Sequence, residues 1–166
     1  MAFDAYVRIQ GIPGEAMDHE YKNWIEIADF DIGASQTASA TSTSAGGAST
    51  GRTKMSDLFF RKTIDNSTPK LHEACCSGKH FKEVIIAINR AGDARVKYFE
   101  ITLEEVIISS VSLNGNGSNP ESLPTETVRL NYGRIKMIYT RQDRSNGQSA
   151  GQVAGGWDGI ANKVYA

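Results

Sequence analysis

Only two cysteines occur in this 166-residue chain, Cys75 and Cys76, and they are neighbours. Adjacent cysteines have poor geometry for an ordinary structural disulfide, and no third thiol is present to pair with either. The expectation is two reduced thiols on a helix. Metal-ligand spacing is missing too, because His19, His72 and His80 lack the clustered partners that zinc needs. No metal and no cofactor is expected. Neither sign of charge is in excess: 18 basic and 19 acidic residues are interspersed and leave a net charge of −1. That gives no electrostatic footprint for DNA or RNA, and nucleic acid is not an expected partner. The longest strongly apolar run, Val84 to Ile88, is far too short to cross a bilayer as a helix. The start, MAFDAYVRIQ, alternates in polarity and has no basic-then-apolar signal pattern. The expected product is cytoplasmic, without membrane insertion, and any export proceeds without a cleaved signal peptide.

What is present begins with one low-complexity stretch. From Ser35 to Gly51 every residue except Gln36 is Ala, Ser, Thr or Gly. A segment that long inside a compact domain is usually functional or disordered. It carries no charge and almost no apolar bulk, so it can neither feed a core nor hold a small molecule. Its composition suits reaching toward another protein.

Elsewhere the chain alternates like β-strands. Phe3, Ala5, Val7 and Ile9 share one face and Asp4, Tyr6, Arg8 and Gln10 the other, before a turn at 11–15. Between Trp24 and Gly33 the phase slips from Ile25 and Ile27 to Phe30 and Ile32, which implies a bulge near Ala28 and Asp29. The slip places Asp29 and Asp31 on one polar face. Strand patterns continue over 58–64, 84–90, 96–113 and 125–140, with a second bulge at Gly133, and a last short strand is expected over 157–165. Phe99, Ile101, Leu103, Ile107 and Val111 form the strongest candidate core stripe, ended by the Asn-Gly-Asn-Gly turn at 114–117. One helix, 67–78, interrupts the series. Asn66, Ser67 and Thr68 offer caps, Pro69 suits the first turn, Leu71, Ala74 and Cys75 share a face, and Gly78 stops it. The expected fold is one mainly β domain over 1–166: a tight barrel of two sheets with long bent strands, one flanking helix and an extended Ala/Ser/Thr/Gly loop over 35–54.

Three catalytic patterns fail on context. Gly46, Gly51, Arg52 and Thr53 match phosphate-loop spacing, but Arg replaces the required Lys and a strand pattern follows in place of a helix. Gly47, Ser49 and Gly51 match a nucleophile elbow without its strand-to-helix setting. Glu104 and Glu105 are adjacent, so strand alternation sends them to opposite faces and keeps them from sharing a site. No catalytic residue is expected. A second reading is a monomeric β-sandwich that binds sugars or peptides through exposed Tyr6, Tyr21, Trp24 or Trp157.

The segments MAFDAYVRIQGIPGEAMDHEYKNWIEI, DNSTPKLHEACCSGKHFKEVIIAINRAG, VKYFEITLEEVIISSVS, PTETVRLNYGRIKMIYTRQD and GWDGIANKV, in this order and spacing, resemble the haemolysin-coregulated protein (Hcp) family of bacterial type VI secretion systems. The resemblance implies a structural subunit that closes into a hexameric ring. Such rings stack into the inner tube of a contractile injection machine used in bacterial virulence and interbacterial competition. The tube works with sheath and spike-tip proteins, is itself exported, and can hold small effector proteins in its lumen. It further implies that Thr37, Ala38, Ser39, Ala40, Thr41, Ser42, Thr43, Ser44, Ala45, Gly46, Gly47, Ala48, Ser49, Thr50 and Gly51 form the ring-stacking loop. Asp31 falls at the family's lumen-facing position, and alternation adds Asp29 beside it as a candidate cargo contact. The resemblance carries no cofactor.

If the loop orders only on stacking, protease should cut free rings between residues 36 and 54 faster than it cuts tubes. Limited proteolysis of the two preparations, with equal rates and no preferred cut in that window as the contrary result, checks this.

Overall fold

A computed structural model describes residues 3–39, 49–91, 96–143 and 145–165. In chain order the strands are β1 (Phe3–Ile9), β2 (Ile25–Ile27), β3 (Asp29–Asp31), β4 (Ala34–Ser35), β5 (Ala38–Ser39), β6 (Ser49–Thr50), β7 (Lys54–Met55) and β8 (Leu58–Thr63). After the helix α1 (Thr68–Ser77) come β9 (His80–Arg90), β10 (Lys97–Asn114), β11 (Thr125–Asn131), β12 (Arg134–Gln142), β13 (Ser149–Asp158) and β14 (Lys163–Val164). The tip of the low-complexity stretch, 40–48, lies outside the described residues.

β1 buries Ala5, Val7 and Ile9 as its alternation requires, and Tyr6 on its other face is covered as well, while Arg8 there is exposed. Tyr6 is buried there, stacked on Tyr21 at 4.6 Å between ring centroids, with Trp24 edge-on to Tyr21 at 5.1 Å. The segment carrying Tyr21 and Trp24 folds back through backbone bonds such as Gly14 N to the Asn23 carbonyl, 2.8 Å. A Cβ on Gly14 would overlap the Trp24 carbonyl and the Ile25 backbone, so this position has room only for glycine.

The phase slip near Ala28 has a topological role. β2 pairs with β1, whereas β3 pairs with β8, and Ala28 between them donates its N–H to the Arg61 carbonyl at 2.7 Å. The irregularity hands the chain from one neighbour to another. From β1 the antiparallel pairing runs on to β9, β10, β11, β8 and β3. Because β3 continues β2, which pairs with β1, the circuit closes on itself. The expected mainly β barrel is therefore present. Its core joins Val7, Ile25, Leu58, Phe60, Val84, Ile86, Ile101, Leu103, Val128 and Leu130, with Leu71 and Ala74 of α1 packed into the same cluster.

β10 departs from the expected stripe in its middle. Ile101 and Leu103 are buried, then Val106 and Ile108, while Val111 packs on the core again and Ile107 is only half-buried. Two compensating irregularities cause this. Glu105 adopts a left-handed φ of 54°, and the register with β11 shifts between Ile108 and Ser110. Each slip turns the strand's faces over, so the two together restore the original phase at Val111.

The bend at Gly133 is as expected. β11 pairs with the second half of β10 and β12 with the first half, and Gly133 N donates to the Glu104 carbonyl at 3.0 Å. The last strand expected over 157–165 is not one strand. β13 runs from Ser149 to Asp158, residues 159–162 turn, and β14 pairs back only at Trp157 and Asp158. Asp158 makes that turn, because its Oδ1 accepts the N–H groups of Ile160 and Ala161 at 2.9 Å each.

α1 ends at Gly78, whose left-handed φ of 64° lets its N–H reach the last-turn carbonyls. Cys75 is half-buried and Cys76 exposed, both as free thiols. The start of the helix differs from the capping expected of it. Ser67 makes no side-chain cap and bonds Asp65 Oδ1 through its N–H at 2.8 Å and its Oγ at 2.5 Å. A buried polar cluster holds this end instead. Lys62 and Glu126 face each other across the β8/β11 ladder with no exposed side chain, and Lys62 Nζ lies 2.9 Å from Glu126 Oε2 and 2.8 Å from Asp65 Oδ1. The Thr68 hydroxyl, in the first turn of α1, donates to Glu126 Oε2 at 2.8 Å.

Breaking one member of such a pair leaves a buried charge uncompensated. Lys62→Met is expected to lower unfolding stability by about 3–5 kcal/mol in urea denaturation, and Lys62→Met/Glu126→Leu to recover most of it. A loss below about 1 kcal/mol in the single variant would show that the cluster does not pin the helix.

Candidate functional site

The low-complexity stretch is built, at its root, as a two-stranded arm. β4 pairs with β7 (Ala34↔Met55, Ser35↔Lys54), and β5 pairs with β6 (Ala38↔Thr50, Ser39↔Ser49). Gly51 N donates to the Thr37 carbonyl at 2.9 Å. Of the residues expected to form a stacking loop, Thr37, Ala38, Ser39, Ser49, Thr50 and Gly51 thus belong to paired backbone. Ala40, Thr41, Ser42, Thr43, Ser44, Ala45, Gly46, Gly47 and Ala48 lie outside the described residues. The ladder was hidden in the sequence because these side chains are too small to show a buried and an exposed face.

Two contacts anchor the arm to the barrel. Ser56 closes its base on Gly33, donating its Oγ to the Gly33 carbonyl at 2.9 Å and accepting the Gly33 N–H at 2.8 Å. Arg52 Nη2 donates to the Gly159 carbonyl at 2.8 Å, which ties the arm to the turn after β13. The Arg52 that failed as a phosphate-loop residue is thus an anchor.

Next to the arm, β3 turns Phe30 toward the core, edge-on to Phe3 at 6.3 Å, and leaves Asp29 and Asp31 on the opposite parity. The two carboxylates are not equivalent. Asp29 is ion-paired with Arg61, its partner in the β3/β8 register. Asp31 is exposed, lies opposite Phe59, and makes no ion pair among the described residues.

Two strands keep a side without backbone pairing among the described residues. β13 is bonded to β12 along one side, but β14 and the Tyr165 N–H cover its other side only from Gly156 to Asp158. Among the described residues, the outer backbone of 149–155 is left unpaired. At the opposite end of the hydrogen-bonded order stands β3, paired with β8 on one side. The β13 edge over 149–155 has no charge or proline, and proteins normally avoid leaving such an edge uncovered.

Glu104 and Glu105 correct the sequence reading. The left-handed φ of Glu105 breaks strand alternation, and both carboxylates turn toward Arg134, at 3.4 Å from Glu104 and 3.8 Å from Glu105. Asp158 Oδ2 lies 3.1 Å from Arg134 Nε, and the Tyr165 hydroxyl donates to Glu104 at 2.9 Å. Arg134 is held above its usual range, chiefly by the hydrogen bond to Asp158. Tyr165 is raised, chiefly by its bond to Glu104. Asp158 is lowered, first by the Ala161 N–H and then, against the opposing effect of burial, by Arg134 and the Ile160 N–H. The cluster is a clasp on the last hairpin.

The aromatic residues of the second reading are packed. Tyr6 and Tyr21 are buried, Trp24 is half-buried with Arg8 5.7 Å from its ring centre, and Trp157 is half-buried against the core. Tyr6 and Tyr21, buried and stacked on each other, offer no open ring face for a sugar platform. Among the described residues no group of three or more His, Cys, Asp or Glu side chains converges as a metal site.

The Asp158 carboxylate accepts the Ile160 and Ala161 N–H groups more strongly when ionised, and its folded value is depressed. Its contribution is complete above the ordinary carboxylate value near 4 and is lost as pH falls through the lower folded value. The Ile160 and Ala161 amide resonances should titrate together, below that ordinary value, and stop doing so in Asp158→Ala. An NMR pH series checks this, and a midpoint at or above the ordinary value would contradict it.

Three comparisons with known proteins agree with this architecture. The family model described as "Type VI secretion system effector, Hcp" matches residues 6–139. Protein hcp1 of Pseudomonas aeruginosa is 38% identical over 167 residues, covering 100% of both chains. Among solved structures, a type six secretion system protein superposes with a TM-score of 0.92 at 29% identity, over 99% of this chain and 100% of that one. Hcp1 from Salmonella typhimurium does so with a TM-score of 0.82 at 30% identity, over the same shares. Sequence and barrel, matched along nearly the whole chain, place this protein in the Hcp family of type VI secretion.

Proposed function

We propose that the protein is a ring-forming structural subunit of the type VI inner tube, and that it works without catalysis. The observation that carries this reading is that β13 over 149–155 and β3 each keep a side without backbone pairing among the described residues, far apart in the hydrogen-bonded order. A patch that meets a different patch on the next copy generates a ring when the rotation closes. Backbone pairing of β13 on one copy with the β3 side of the next would cover both edges at once. Six copies follow from the family, and the arm, projecting from the barrel on its ladder, is the part that reaches the next ring in a stack.

Cargo is the second element of the proposal. Asp31 faces the lumen and biases it toward basic surfaces on small effector proteins. Asp29 has its charge answered by Arg61, so a ring of six presents about six unpaired carboxylates from β3, not about twelve. The finished tube sits inside the sheath, carries the spike tip, and leaves the producing cell with its cargo. The fate of the chain is thus cytoplasmic synthesis followed by export through the machine.

Light scattering after size exclusion is expected to give the mass of six subunits, with annular particles in negative-stain images of the same peak. A clean monomer at micromolar concentration would argue against the ring. Retention of a basic effector should fall in Asp31→Ala and lose its salt dependence. Identical salt curves for the two proteins would remove Asp31 from the cargo surface.

A further inference from the structure

The run Asn114-Gly115-Asn116-Gly117 ends β10, and a third Asn-Gly pair, Asn146-Gly147, lies in the loop between β12 and β13. All of these residues are exposed. Neither the core nor the proposed ring contact uses them. Asparagine before glycine has a chemistry of its own, because no Cβ on the second residue obstructs the approach of its backbone nitrogen to the asparagine side chain.

The structure sets the three pairs in different conditions. Asn114 is the last β10 residue in register with β11, opposite Thr125, and Gly115 lies against Pro124, 3.7 Å from where a Cβ would stand. Turning that peptide would peel the end of the ladder. Asn146 sits in a closed turn, in which Gly147 N donates to the Asp143 carbonyl at 2.9 Å and Asp143 N to the Gln148 carbonyl at 2.8 Å. Its neighbouring nitrogen is thus held by another acceptor. Asn116 combines a polarised carbonyl with a free nitrogen. Its Oδ1 accepts the Ser118 N–H at 3.0 Å, which folds the side chain back over its own peptide and sets a donor where negative charge develops when Cγ is attacked. The Gly117 N–H has no acceptor among the described residues, and the space beside Gly117 is open. The backbone bond that closes this turn, Asn119 N to the Asn116 carbonyl, is long at 3.4 Å and resists little. Asn119 itself is inert in this chemistry, since the Pro120 nitrogen carries no hydrogen.

We propose that Asn116 is a site of spontaneous deamidation, at which water converts the side-chain amide to a carboxylate through a cyclic imide. The Gly117 nitrogen gives its proton to solvent base and bonds to Asn116 Cγ. The Cγ–Nδ2 bond breaks, and Nδ2 takes a proton from solvent and leaves as ammonia. Water then opens the imide at either carbonyl, giving aspartate or isoaspartate, and no group is oxidised or reduced. Each event adds a negative charge to the tip of the β10–β11 hairpin, and the isoaspartate product also lengthens the main chain by one carbon. The modification is independent of ring formation.

The test ages the intact protein in mildly alkaline buffer, beside a sample unfolded in guanidinium chloride. Peptide mapping at intervals, with fragment-ion mass spectrometry to locate each site and chromatography to separate aspartate from isoaspartate, follows all three pairs. In the folded protein Asn116 is expected to convert at least several-fold faster than Asn114 and Asn146, with both products present. In the unfolded chain the three rates should converge, since each asparagine precedes glycine. Gly117→Ala, at a position without a left-handed φ, should slow Asn116 several-fold and leave Asn146 unchanged. Conversion of Asn114 or Asn146 as fast as Asn116 in the folded protein would overturn the proposal. So would the same ratios in the folded and unfolded samples, because the structure would then select nothing.

Discussion

Closure of the backbone hydrogen-bond circuit is the constraint on which the rest of this structure depends. An open sheet of strands this long would expose unpaired edges and half of its apolar face. Here the short run from Ile25 to Asp31 serves two neighbours in turn, with Ala28 as the point of transfer. That single irregularity joins β1 to β8 and lets residues distant in the chain form one core. The helix then adds Leu71 and Ala74 to the same cluster.

Polar groups decide how that core is held in register. Lys62 and Glu126 stand opposite each other in the ladder, fully buried, and bind the first turn of α1 through Thr68 and Asp65. Replacing both by apolar residues of similar volume is often neutral, so their importance is for where the helix docks more than for net stability. The same logic applies at the far end of the barrel. Arg134 gathers Glu104, Glu105 and Asp158, and Asp158 in turn fixes the last turn, against which Arg52 anchors the arm. The arm is therefore mechanically continuous with the clasp, through backbone carbonyls and charged side chains as well as the packing of Met55.

Barrel closure also explains why edges remain at all. The circuit uses both sides of most strands, yet β12 and β13 branch from β10 beyond it and carry an open side with them. Their outer strand is rich in Ala, Gly and Ser, which lets another backbone approach closely. The feature that would be a liability in a monomer suits a protein whose family works in secretion machinery. Apart from Met55, which packs on the core, the arm is built mainly of small residues that add little to it.

The fold class, the helix with its Gly78 stop, the bulge at Ala28, the bend at Gly133 and the family were legible in the chain alone, because period-two alternation, turn residues and segment order are local properties. Alternation also placed Asp29 and Asp31 on one parity. It misjudged Ile107, Glu104 and Glu105, since a left-handed non-glycine residue in a strand leaves no compositional mark. The helix start was read as a cap, because Asn66, Ser67 and Thr68 are good caps in isolation, whereas Thr68 is claimed by Glu126, 58 residues away. The Lys62–Glu126 pair, the Asp29–Arg61 neutralisation and the ladder in the arm were decided only by the tertiary structure. Each depends on which strands become neighbours, and that choice is fixed by closing one barrel around one core, not by any stretch of chain read alone.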